Sequence, residues 1–296
     1  MVDYTLMPKV VSLPVKGVIS SYRYQPDWFG VHYHVNMYVG CGFGCLACAS
    51  QGQYSHHVGS SCDTVGVKEN AYALLEKAVS GKRRKGVVML GHESDPYPHI
   101  EASYQLTREA IRILLDKQFD VVVFTKSPLV TRDIDLLSAA RNGLRPMVVM
   151  QIATLSEATA AKIEPGASAP QARLEALRLL ANSGIPVGVY LGPLLPFIND
   201  DEKDVGDLIH SVAQLGCTFV AIDYKIMLSQ QQWELFKMLS SAHFPGMYKK
   251  YQEHYAQDYC LALPKAAQLQ QSVQKCCDTL GLRYRMSEIE SIRGRL

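Results

Sequence analysis

The chain has 296 residues, 48% of them hydrophobic and 20% charged, a balance that excludes disorder as the main state and supplies a sizeable core. Thirty Lys and Arg stand against 28 Asp and Glu, so a formal charge of +2 makes no electrostatic case for nucleic acid or an anionic membrane as an obligatory partner. No run of about 18 apolar residues occurs and no charged leader precedes an apolar stretch, which reads as a cytoplasmic protein with no membrane partner.

Residues 1–33 are rich in Val, Pro and Tyr without a clear period and read as an irregular N-terminal extension. From about residue 34, short apolar β-branched runs alternate with segments of helical period, the signature of βα units around a parallel sheet. The predicted strands are Val35–Val39, Gly86–Gly91, Phe119–Thr125, Met147–Thr154, Pro186–Leu191 and Thr218–Tyr224. The predicted helices are Val67–Val79, Tyr104–Lys117, Arg132–Arg141, Pro170–Ser183 and Glu202–Gln214. Thr131 reads as the N-cap of the third helix, with Asp133 in its first turn and Asn142-Gly143 as its stop. Pro170 opens the fourth and Gly184 ends it. The basic run Lys82, Arg83, Arg84 and Lys85 reads as a solvated turn between a helix and a strand.

Six units fall short of the eight that close a full barrel. The expected fold is therefore α/β, a partial (β/α)6 barrel of TIM type over residues 34–228. Residues 229–296 read as a helical segment packed on it, with Phe236, Phe244, Tyr248, Tyr251, Tyr255 and Tyr259 mostly serving the core.

Eight cysteines in a large chain without a leader point to metal or redox chemistry rather than disulfides. Three of them form Cys41-Gly-Phe-Gly-Cys45-Leu-Ala-Cys48, a C-x3-C-x2-C spacing directly after a predicted strand. Thiolates this close can share one iron–sulfur cluster, and Gly42 and Gly44 permit turns that a Cβ would obstruct. Three ligands leave one iron of a [4Fe-4S] cluster open for chemistry. A zinc site would need a fourth ligand from His56, His57 or Cys62.

On these residues the chain resembles the radical S-adenosylmethionine superfamily, whose clusters use this spacing after the first strand of a partial barrel. It departs at Ala47, where most members carry an aromatic residue whose contact with adenine is partly backbone. A finer resemblance, to the group similar to spore photoproduct lyase, rests on Gly91-His-Glu-Ser-Asp-Pro-Tyr-Pro-His-Ile-Glu101 and Phe124-Thr-Lys-Ser-Pro-Leu-Val-Thr-Arg-Asp133. Glu164-Pro165 with Arg173, Pro193-Leu-Leu-Pro196 and Asn199-Asp200 extend it over residues 34 to 225.

The resemblance implies a [4Fe-4S] cluster on Cys41, Cys45 and Cys48, with S-adenosylmethionine cleaved reductively and a 5′-deoxyadenosyl radical abstracting hydrogen from a substrate. It implies that Glu93 and Ser94 meet the methionine amino group, that Lys126 approaches its carboxylate, and that Ala47 and Thr154 complete the cofactor site. A one-electron donor such as flavodoxin or ferredoxin is implied as partner; nucleic acid enters by analogy only. Asp95 and Tyr97 read either as substrate-site residues or as parts of a strong Asp-Pro-Tyr-Pro turn. His92 stands where photoproduct lyases place a hydrogen-donating cysteine, and imidazole does not donate hydrogen comparably. Cys62, Cys217, Cys260, Cys276 and Cys277 are the remaining candidates for a donor or an auxiliary cluster, with burial expected for Cys217. Two other classes stay open at the sequence level: a cluster-bearing redox or iron-sensing binding protein, and a structural zinc protein.

Overall fold

Runs such as Val87-Val88-Met89-Leu90 are buried along their whole length, as strands of a parallel sheet covered on both faces must be. The computed structural model describes residues 8–21, 28–48, 64–140, 143–255 and 259–294. Its strands are β1 (Lys9–Leu13), β2 (Ile19–Ser21), β3 (Tyr33–Val35), β4 (Tyr38–Val39), β5 (Thr64–Lys68), β6 (Val87–Leu90), β7 (Asp120–Thr125), β8 (Met147–Ile152), β9 (Val187–Leu191), β10 (Phe219–Ile222), β11 (Lys225–Met227) and β12 (Cys260–Ala262). Six of these, in the order β3-β6-β7-β8-β9-β10, pair parallel, and β2 joins β3 antiparallel. The sheet ends at β10 and β2 and does not close on itself. This is the partial barrel that the six apolar runs predict.

The two faces of the barrel separate by residue parity. Val88, Leu90, Val121, Val123, Val148, Met150, Val187 and Val189 pack outward with Leu114, Leu177 and Val212 of the covering helices. Val87, Met89, Val122, Phe124, Met147, Val149 and Phe219 turn inward, where Phe29 and Ile289 join them from outside the six strands. Gly188 takes an inward position because a Cβ there would stand 2.4 Å from the Phe219 ring.

Several boundaries differ from those predicted. The first predicted strand, 35–39, divides: β3 belongs to the barrel, whereas β4 pairs with β5 in a small sheet that also holds β1. At the break, Lys68 Nζ donates to Asn36 O at 2.6 Å, and the Asn36 amide oxygen accepts from Glu93 N at 3.2 Å. The segment expected to be helical from Val67 is strand to Lys68 and helix only over Ala71–Ser80. Two strands, β1 and β2, lie within the extension expected to be irregular: β1 pairs with the distant β5, and β2 with β3, the next strand in the chain. The third predicted helix is a 3-10 turn, Pro128–Asp133, capped by Ser127 rather than Thr131, followed by the short helix Ile134–Ser138. Its predicted end at Arg141-Asn142 lies outside the described residues. Pro170–Asn182 and Glu202–Gln214 match their predicted helices closely.

Beyond the barrel, β11 and β12 pair antiparallel, and Ser229 with Gln232 forms a capping box that opens the helix Gln230–His243. Trp233, Phe236, Tyr251 and Tyr255 from this region form one buried cluster with Leu46 and Leu195, so the tail packs on the cysteine loop. Tyr248 and Tyr259 are exposed. Among the described residues no helix is long and apolar enough to cross a membrane.

Candidate active site

The cysteine loop follows β4 and is held from three sides. Gly42 and Gly44 adopt φ of +76° and +62°, conformations that side chains disfavour, while Phe43 and Leu46 between the cysteines are buried anchors. Leu46 N donates to Ile163 O at 2.8 Å and Gly166 N to Phe43 O at 2.9 Å. A Cβ on Gly166 would stand 2.5 Å from Gly42 O, so only glycine lets the two backbones meet. From the tail, Gln232 Nε2 donates to Cys48 O at 3.2 Å. Held in this way, Cys41, Cys45 and Cys48 all line a cavity of about 280 Å³ at the C-terminal ends of the barrel strands.

Burial pushes the Cys45 thiol up to about 12, with the Lys126 ammonium opposing it. Burial also raises Cys41, and the neighbouring Cys45 and Cys48 add to the rise. With Cys41 and Cys45 both raised, a cationic group between them favours their thiolates, and an iron–sulfur cluster supplies one. Among the described residues no group of three His, Cys, Asp or Glu side chains is arranged around a single metal-ion position. In a cluster each thiolate binds a different iron, so the thiols need no common point. His56, His57 and Cys62, the zinc alternative's donors, lie outside the described residues, and none of the described cysteines is in a disulfide.

The loop after β6 contributes His92, Glu93, Ser94 and Asp95 to the same lining, as do Ala47 of the cysteine loop and Lys126. Ser94 Oγ donates to Tyr38 O at 3.1 Å, tying this loop to the residue three before Cys41. Asp95 accepts from Thr125 Oγ1 at 2.6 Å, Lys126 N at 2.7 Å and Tyr97 N at 2.9 Å, and so staples the loop to the end of β7. Burial raises the Asp95 carboxyl above its ordinary value while these donors pull it down. Tyr97 does not line the cavity; it is fully buried, and its hydroxyl donates to Asp133 at 2.9 Å. Thr154 also stands outside the lining, its Oγ1 accepting from Ser156 N at 3.1 Å in the turn before the helix Glu157–Ile163.

Lys126 reaches the cavity from the end of β7 with its ammonium 3.0 Å from Glu164 Oε2. Burial alone would lower its ionisation, but the Glu164 and Cys45 charges outweigh burial and raise it. His92 meets His34 of β3 with ring centroids 4.2 Å apart and planes tilted by 54°. Burial, assisted by His92, lowers His34 to about 4, and burial lowers His92 as well.

Sequence reasoning missed Gln151, Tyr190, Asp223 and Lys225, which complete the lining. The Tyr190 hydroxyl donates to Asp223 Oδ2 at 2.9 Å, joining β9 to the end of β10, and its ring meets Phe124 at 5.3 Å and Trp28 at 6.4 Å. Gln151 and Tyr190 share the inward parity of their strands, and a polar residue at an inward position near a strand's C-terminal end is the signal that could have found them. Cys217 and Cys277 are buried among the helices and outer strand face, and Cys260 and Cys276 do not line the cavity.

The model of the Radical SAM superfamily matches residues 35–209, more than half of the chain. An uncharacterized protein of Mycobacterium tuberculosis is 28% identical over 228 residues, covering 75% of this chain and 67% of that protein. An uncharacterized protein of Methanocaldococcus jannaschii is 30% identical over 179 residues, covering 60% of this chain and 66% of the relative. Among solved structures, spore photoproduct lyase with bound AdoMet and dinucleoside spore photoproduct superposes with a TM-score of 0.68 at 16% identity, covering 94% of this chain and 81% of that one. At that identity the likeness speaks for the fold, which it shares over nearly its whole length. With a matching family model, a cysteine triplet on the cavity wall and this barrel, the chain belongs to the Radical SAM superfamily.

Proposed function

We propose that the protein is a radical S-adenosylmethionine enzyme that holds a [4Fe-4S] cluster on Cys41, Cys45 and Cys48 and activates a substrate by hydrogen abstraction. The observation that carries this reading is the cavity itself, whose lining brings the three cysteines together with Glu93, Ser94 and Lys126. When bound and supplied with one electron by a flavodoxin or ferredoxin, the cluster and S-adenosylmethionine furnish the 5′-deoxyadenosyl radical. Everything else falls to the chain's own groups.

Glu93 accepts from an ammonium group, and Lys126, kept charged by Glu164, neutralises a carboxylate. Ala47, beside Cys48, offers backbone to the adenine, and Thr154 serves through the turn that positions the adjoining loop. Phe43, Phe124 and Pro193 contribute apolar surface that limits water around the reacting atoms. Asp95 holds the Glu93 loop against β7, and Tyr97 acts at one remove by holding Asp133. Tyr190 and Asp223 form the polar floor that a substrate meets. The solved spore photoproduct lyase holds a dinucleoside spore photoproduct, so nucleic acid is one substrate class to test for this chain; by the sequence resemblance, His92 takes the position of that enzyme's hydrogen-donating cysteine.

The test is anaerobic reconstitution with iron and sulfide, then dithionite and S-adenosylmethionine, with 5′-deoxyadenosine as the readout. The wild type is expected to form it, and Cys45→Ala is expected to abolish it. A colourless zinc-loaded chain would sink the proposal, and a stable cluster without cofactor cleavage would favour a redox or iron-sensing protein.

A further inference from the structure

Glu164 is 2% exposed and holds two cations: Lys126 Nζ lies 3.0 Å from Oε2, and Arg173 Nη1 lies 2.6 Å from Oε1. Arg173 is fully buried, and its other bonds run from Nε and Nη2 to Ser168 O at 2.9 and 2.6 Å and from Nη1 to Gln151 O at 2.9 Å. Stability is a weak reason for such a group, because replacing a buried ion pair by apolar packing of similar volume is often neutral or stabilising. Its position gives a stronger one. Two cations and one carboxylate leave a charge of +1, and Lys126 carries that group to the cavity that Cys45 also lines. The residues next to Glu164 also carry the strap on the cysteine loop, through Ile163 O to Leu46 N and Gly166 N to Phe43 O. Charge this deeply buried is poorly screened, and nearby charge is one of the terms that set an iron–sulfur potential.

We propose that Glu164 and Arg173 are positioning residues that set the reduction potential of the cluster. Glu164 fixes Lys126 at the cavity that Cys45 lines, and Arg173 supplies the excess positive charge that favours the electron-rich state. This rests on the radical-enzyme reading above. The step concerned is the uptake of one electron by the cluster from its donor, with no bond made or broken in the triad.

The test is a mediator titration of the reconstituted protein, following the reduced cluster by electron paramagnetic resonance alongside iron per chain. Arg173→Met lowers the triad from +1 to neutral and is expected to shift the midpoint to more negative values. Glu164→Gln raises the charge and is expected to shift it the other way. The double variant Glu164→Gln/Arg173→Met restores +1 and is expected to return close to wild type, as is Arg173→Lys. If Arg173→Met does not fold, the comparison passes to Glu164→Gln and the double variant, of which the double variant is expected to be the more negative. Single variants that shift in the same direction, or that retain iron with no shift, overturn the inference while leaving the enzyme reading intact. A wild-type chain that takes up no cluster overturns both.

Discussion

His34 illustrates what one inward-facing side chain costs and offers. It takes an inward position on β3, is buried, and meets the ring of His92, which lines the cavity. Its folded value of about 4 lies below the ordinary 6.5, so between these values the unfolded chain binds a proton that the folded chain refuses. The stability this neutrality confers is complete above about pH 6.5 and is lost as pH falls toward 4, by about 3 kcal/mol in all. Urea unfolding of wild type and His34→Asn between pH 7 and 4 is expected to show a flatter profile for the variant. Parallel profiles would mean that His34 is not the group that titrates. The cysteines, Glu93 and Lys126 were legible at this scale because each belongs to a short motif. The partners of those residues were not: nothing local in Lys126 announces Glu164, 38 positions away.

At the scale of elements, the segment around Ile163 and the cysteine loop are joined by close backbone approach as well as by packing of Ile163 with Leu46. An added Cβ at Gly166 meets Gly42 O at 2.5 Å and the Phe43 Cα at 3.0 Å, backbone atoms that cannot swing aside. Gly166→Ala is therefore expected to cost about 1–3 kcal/mol in chemical denaturation and to lower the iron taken up per chain. Gly206→Ala, on the helix Glu202–Gln214 with open space around its added Cβ, is the control. It is expected to be neutral or to stabilise by up to about 1 kcal/mol. Equal iron uptake by the two variants would separate the strap from cluster binding. The sequence signal for these elements was uneven. Pro170–Asn182 carries its start and stop residues locally, whereas Tyr38–Val39 continues the apolar run of β3 yet leaves the barrel for β5, a choice made by partners distant in sequence.

At the scale of the whole molecule, an open barrel must fill its interior from outside. Phe29 and Ile289 do so from opposite ends of the chain, joined where Gly30 N donates to Glu290 Oε1 at 2.8 Å and where Arg293 donates to Phe29 O. Trp28 continues this filling up to Phe124 and Tyr190 beneath the cavity. Ile289→Ala is expected to cost about 2–5 kcal/mol, measured by urea unfolding, because the six strands cannot collapse around the void. A loss well below that range would mean that the C-terminal helix Met286–Ser291 is not part of the cooperative fold.

The sequence by itself determined what depends on near neighbours. Six apolar runs set the number of barrel strands, helical period set most of the covering helices, and C-x3-C-x2-C placed three thiols on one short loop. These follow from chain geometry, since residues a few positions apart cannot separate far. Only the tertiary structure decided which residues face inward together, so that Gln151, Tyr190 and Asp223 line the cavity while Tyr97 and Thr154 do not. It also decided that Glu164 brings Lys126 and Arg173 together and that the aromatic tail packs on Leu46. Such pairings depend on burial and charge between segments that meet only once the barrel has formed.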